Sequence, residues 1–138
     1  MHRHVGIWLD KRKAYIVHLH KEAVTTTSIL SAVDDFHAVG GSRSSTPYGP
    51  QDAVSESKVL ERRKQQLKNY YCRLAESIKA ADAIYIMGPA EAKYGFEKIL
   101  KEKMNLGHKI TTVESADSMT ENQIVAKVKS HFNRLQTQ

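Results

Sequence analysis

Ala83-Ile84-Tyr85-Ile86-Met87, stopped at once by Gly88-Pro89, is the stretch that decides the fold. An apolar run with no polar alternation describes a strand buried on both faces, and that burial is typical of a parallel strand covered by helices. Parallel strands need helical crossovers, and the flanking sequence supplies two. Upstream, Leu60, Leu67, Tyr71, Leu74, Ile78 and Ala81 recur at spacings of three, four and seven. That places one apolar stripe along a helix from about Glu56 to Ala81, with Lys58, Arg62, Asn69 and Arg73 on the opposite face. Downstream, a helix from about Glu91 to Met104 buries Phe96, Ile99 and Leu100, and Gly107 closes it. Lys109 to Glu114 reads as the next strand. Two overlapping capping boxes, Ser118 with Glu121 or Thr120 with Gln123, precede a last helix built on Ile124, Val128, Phe132 and Leu135.

Working toward the N-terminus, Val5-Gly6-Ile7-Trp8-Leu9 is a strand that ends in the polar turn Asp10-Lys11-Arg12-Lys13. Ala14 to His20 is a second strand, and Val24 to about Val33 a third, rich in β-branched residues. Short turns make these an antiparallel meander, and the crossovers make the later strands parallel to their neighbours. The predicted fold is α/β, a mixed five-stranded sheet in β-β-β-α-β-α-β-α order, the element order of ribonuclease H-like proteins. Asp34 to Ser55 carries Gly40, Gly41, Pro47, Gly49 and Pro50 and is expected to be a flexible loop. One domain over residues 1–138 is expected.

Composition narrows the class. The 138 residues hold 41% hydrophobic and 26% charged side chains, an ordinary globular balance that excludes a disordered or collagen-like chain. No apolar run approaches the roughly 20 residues of a membrane span, and the start lacks a signal-peptide core. A single cysteine gives no internal disulfide. The expectation is a soluble cytoplasmic protein. Its net charge of +6 is uneven: residues 1–21 and 56–81 each carry +4, whereas residues 22–55 carry −3. A basic hairpin beside a basic helix fits binding to a phosphate backbone, through release of condensed counterions.

The meander, the loop beginning Gly40-Gly41, the basic helix with Arg62-Arg63 and Tyr70-Tyr71-Cys72-Arg73, and the run Ile84 to Phe96 with its Gly88-Pro89 turn and Lys93 form one pattern. It resembles the middle domain of archaeal and eukaryotic peptide-chain release factors and of Pelota, over roughly residues 5 to 135. It is also similar to the free-standing relatives of that domain that occur in bacteria. The resemblance implies a partner in the ribosome or a structured RNA. It does not carry over hydrolysis of peptidyl-tRNA: release factors bear Gly-Gly-Gln in this loop, and here Gly40-Gly41 is followed by Ser42.

The candidate nucleic-acid contacts are therefore Lys11, Arg12, Lys13, Arg43, Lys58, Arg62 and Arg73, with Gly40, Gly41 and Ser42 as the loop motif. Gly88, Pro89 and Lys93 stand where an α/β sheet binds anions, at the carboxyl end of a parallel strand. They define an alternative, an anion- or nucleotide-binding hydrolase; a second alternative is a homo-oligomeric scaffold paired through an uncovered strand edge. Asp10, Glu114 and Asp117 would form a two-metal nuclease set only if they converged, and His2, His4, His18 and His20 read as surface histidines. Cys72 reads as a core-edge residue. No catalytic residue, metal or cofactor is expected.

Overall fold

A computed structural model describes residues 3–21, 23–31 and 49–136, with side chains at 3–21, 23–31 and 57–134. Strands β1 (Arg3–Leu9), β2 (Lys13–His20) and β3 (Ala23–Leu30) form the antiparallel meander. Helix α1 (Gly49–Ser77) leads into β4 (Ala83–Gly88), which lies parallel to β1 with Ile7 opposite Ile86. Helix α2 (Ala92–Glu102) and a short 3-10 turn (Gly107–Lys109) lead to β5 (Ile110–Ser115), parallel to β4, and α3 (Glu121–Gln136) follows. The sheet order is β3-β2-β1-β4-β5. This is the mixed sheet expected from the sequence.

Two cores explain the continuous apolar runs of β1 and β4. One face carries Val5, Ile7, Leu9, Ile16, Ile84 and Ile86 against Tyr70, Tyr71, Leu74 and Ile78 of α1 and Phe96 and Leu100 of α2. The other carries Trp8, Val17, Tyr85 and Met87 against Ile124, Val128 and Phe132 of α3. Fully burying each such side chain contributes roughly 1.5–3 kcal/mol. Gly6 lets α3 approach: a Cβ there would stand 2.3 Å from Val128 Cγ2. At the head of α3, Thr120 and Gln123 close a reciprocal capping box, Gln123 N donating to Thr120 Oγ1 at 3.2 Å and Thr120 N to Gln123 Oε1 at 2.9 Å.

Several boundaries differ from the sequence reading. Helix α1 begins at Gly49, so residues 49–55, expected in the loop, are helical. Its apolar stripe is seated only from Tyr70 onward; Leu67 is half-buried and Leu60 stands 51% exposed. Ile99 and Val113 are half-buried, and packed against the first core. β3 ends at Leu30, not near Val33. Its residues are exposed apart from half-buried Ile29.

Candidate nucleic-acid interface

The turn between β1 and β2 is built by Asp10. Its Oδ1 accepts the Arg12 and Lys13 amides at 2.7 and 2.9 Å, so the carboxylate fixes a tight turn that presents Lys11 and Arg12 to solvent. Lys13 leans over the Tyr15 ring, 5.5 Å from its centroid. Helix α1 is tied to this turn. The Tyr70 hydroxyl donates to the Asp10 carbonyl at 3.1 Å, and burial, with Asp10 and Tyr71 nearby, raises its pKa far above the ordinary tyrosine value, so it remains a donor.

Arg73 comes to the same end of the sheet. Its Nη2 donates to the carbonyls of Leu30 and Ser31 at 3.3 and 3.0 Å, while Ser31 N donates to Arg12 O at 2.8 Å. Sequence reasoning placed Arg73 among the phosphate contacts. The structure gives its guanidinium a first task in pinning α1 to the end of β3. Lys58 and Arg62 are exposed farther up α1, about 16–22 Å along the axis from Arg73 at 1.5 Å per residue. Arg43, Gly40, Gly41 and Ser42 lie outside the described residues.

The pairing that the sequence does not reveal is Lys68 with Lys103. Lys68 on α1 and Lys103 at the end of α2 are both exposed, and their side chains come close to one another. That contact and the adjacent Lys103 charge lower the Lys68 pKa. Exposed Lys64 stands one turn before Lys68 on the same side of α1. Two cations from different helices thus face one patch of solvent. No sequence spacing signals this, because only the packing of α1 on α2, where Tyr71 lies 6.5 Å from Phe96 by ring centroids, brings the two together.

The crevice beyond β4 is arranged differently from its expectation. Gly88 is a packing requirement: a Cβ there would fall 2.2 Å from the Leu9 carbonyl oxygen of the neighbouring strand. Its own carbonyl accepts Ala116 N at 2.9 Å, and Pro89 is exposed. Lys93 is 2% exposed, and its ammonium donates to the Ala90 carbonyl and lies 4.6 Å from the Tyr94 ring centroid. Lys93 folds back on its own helix entry, so the hydrolase alternative loses the cation it relied on.

The carboxylates and histidines do not converge either. Asp10 serves its turn, Glu114 pairs with Lys127 at 3.1 Å, and the Asp117 carbonyl accepts Trp8 Nε1 at 3.1 Å. Among the described residues no three His, Cys, Asp or Glu side chains gather around a common point. His4 stacks on Phe132 beneath α3 with ring centroids 4.5 Å apart. His18 opposes Val5 on the other face of the sheet, where burial lowers its pKa. His2 is outside the described residues.

A polar seam that sequence reasoning passed over fastens α3 to β4 and β5. Thr111 Oγ1 donates to Ile84 O at 3.1 Å and lies 2.9 Å from His131 Nε2, which makes that nitrogen the donor to the hydroxyl. The imidazole stacks on Tyr85 at 3.9 Å, and burial and the Arg134 charge lower its pKa. Burial works against the ionised form of Glu114, but the Lys127 ammonium at 3.1 Å holds its carboxyl below the usual range. These groups are spent on one another.

Solved structures that share this fold include the Pelota protein of Thermoplasma acidophilum, with TM-score 0.54 at 12% identity over 93% of this chain and 32% of that one. Archaeoglobus fulgidus Pelota gives 0.56 at 13% identity over 93% and 31%. An archaeal translation termination factor gives 0.52 at 10% identity over 98% and 40%. The chain spans about a third of the length of these proteins. At such identities the likeness establishes the fold, and that fold is Pelota- and release-factor-middle-domain-like. No protein-family model matches the sequence, and no curated protein matches it. No helix among the described residues is long and apolar enough to cross a membrane.

Proposed function

We propose that this chain is a translation-associated domain that binds the ribosome or a structured RNA through the basic surface of α1, without hydrolysing peptidyl-tRNA itself. The observation that carries the reading is the juxtaposition of Lys68 and Lys103, with Lys64 beside them, on an exposed surface. Like charges set side by side repel, and a phosphate lying between them relieves the repulsion while releasing its counterions. The turn Lys11-Arg12-Lys13 and the exposed Lys58 and Arg62 add further cations for a phosphate backbone to meet. The shared fold supports a translation factor over an unrelated RNA binder. Arg43 and the Gly40-Gly41-Ser42 motif are proposed to contribute from the loop, and the absence of glutamine after Gly41 supports a binding role over a hydrolytic one.

Co-sedimentation with purified ribosomes, at low and then high salt, tests this. Association that is lost as salt rises is the expected result. A protein that stays in the supernatant at low salt, or pellets equally at both salts, contradicts it.

A further inference from the structure

We infer that β3 is a self-association edge, through which two copies of this chain pair antiparallel and continue one sheet across a two-fold axis. β3 is the outermost strand on its side of the sheet, and among the described residues no strand pairs with its outer edge. Edge strands are ordinarily protected by lysine, proline, a bulge or brevity. This one has none of those protections. It runs eight residues, Ala-Val-Thr-Thr-Thr-Ser-Ile-Leu, in unbroken register with β2. It holds no charge, in a chain with 36 charged side chains counted as 21 basic and 15 acidic.

Its exposed apolar residues are placed symmetrically. Val24 is 39% and Leu30 73% exposed, two of the four exposed large hydrophobics among the described residues. Both lie on one face of the strand, three positions either side of Thr27. The ladder's phase selects the same residues. Ser31 N donates to Arg12 O, toward β2, so by alternation the main-chain groups of Val24, Thr26, Ser28 and Leu30 point to the outer edge.

An antiparallel second copy with Thr27 opposite Thr27 therefore sets Val24 against the other copy's Leu30, and Thr26 against its Ser28. Apolar faces apolar there, and Thr26, whose hydroxyl donates to Glu121 at 3.3 Å, faces Ser28; about six main-chain hydrogen bonds form, the two Leu30 carbonyls being held already by Arg73. Slipping the pair by two residues in either direction removes both Val24–Leu30 contacts. Beside the strand, an open groove of about 460 Å³ lined by Ile29, Cys72, Arg73, Glu76 and Ser77 leaves room for the second copy's Thr25, Thr27 and Ile29 side chains. A second copy of this chain is thus the occupant that matches the outward-pointing positions Val24, Thr26, Ser28 and Leu30.

Sedimentation equilibrium of the full chain, across a dilution series and without RNA, provides the test. The wild type is expected to show twice the monomer mass at high concentration and to dissociate on dilution. Val24→Asp or Leu30→Lys alone should weaken the dimer about tenfold or more, with the thermal midpoint of the monomer nearly unchanged, since both sites are exposed. Val24→Asp combined with Leu30→Lys in one chain should restore it, because opposite charges then face each other across the axis. A wild type that stays monomeric overturns the inference, whether the edge amides exchange freely or are covered by another part of the same chain. So does a dimer indifferent to the single substitutions, or one that the double substitution fails to restore.

Discussion

Gly6→Ala is the substitution whose cost the structure allows to be worked through. The added Cβ would lie 2.3 and 2.7 Å from the two methyls of Val128 and 3.0 Å from its Cβ. Carbon atoms rest at about 3.5–4.0 Å, so α3 or the valine must retreat by about 1 Å. Val128 is branched at Cβ and fully buried, so it has no flexible end to give way. Overpacking of this kind costs about 1–3 kcal/mol. Val128→Ala alone removes two methyls, about 1.6 kcal/mol of transfer energy plus a cavity term, so about 2–3 kcal/mol. The double variant places a new methyl where two were lost. It should therefore be more stable than the sum of the single effects implies, by about 1.5 kcal/mol or more. Urea denaturation of all four proteins measures this coupling directly. Additivity within about 0.5 kcal/mol would mean that α3 does not rest on Gly6, and would refute the packing of the second core.

Tyr70→Phe removes the donor to the Asp10 carbonyl and should cost about 1–3 kcal/mol in urea denaturation, as the carbonyl loses a buried partner. Lys21 holds a φ of 59° in the β2–β3 turn, so Lys21→Asn, which tolerates that region, should raise stability by about 1 kcal/mol or less; a loss would show that the turn relaxes at no cost. Stability should fall between pH 7.5 and pH 5.5. Burial lowers the His18 and His131 pKa values below about 6.5, so the unfolded chain takes up protons first as pH drops, and this favours unfolding. Glu114, held below the usual carboxylate value, adds a further loss below about pH 4.5. A urea midpoint constant from pH 7.5 to 5.5 would contradict the burial of both imidazoles.

What was legible in the sequence follows from one-dimensional patterns that survive in three dimensions. The unbroken run Ala83–Met87 announced a strand covered on both faces, and it is. The stripe from Tyr71 to Ile78 named the seated half of α1, but the same spacing continues to Leu60, where the sheet no longer lies beneath it. Gly49-Pro50 reads as loop punctuation, yet proline suits the first turn of a helix because its missing N–H would have had no partner there. Lys93 next to a Gly-Pro turn looks like an anion site; that its chain folds inward onto the Ala90 carbonyl depends on the packing around it. His4 and His18 share no face because register, not spacing, decides which way each points. Lys68 and Lys103 are distant in sequence, and only the packing of α1 on α2 makes them neighbours.

The central claim is that the Lys64, Lys68 and Lys103 surface holds phosphates, and the salt dependence of ribosome affinity tests it most directly. Each phosphate contact contributes about 0.7–0.9 to the slope of log affinity against log salt. Lys64→Glu with Lys68→Glu should lower the affinity at low salt and flatten the slope by about 1.4–1.8, while stability moves by no more than about 0.5 kcal/mol. A folded double variant with the wild-type affinity and slope would contradict the account.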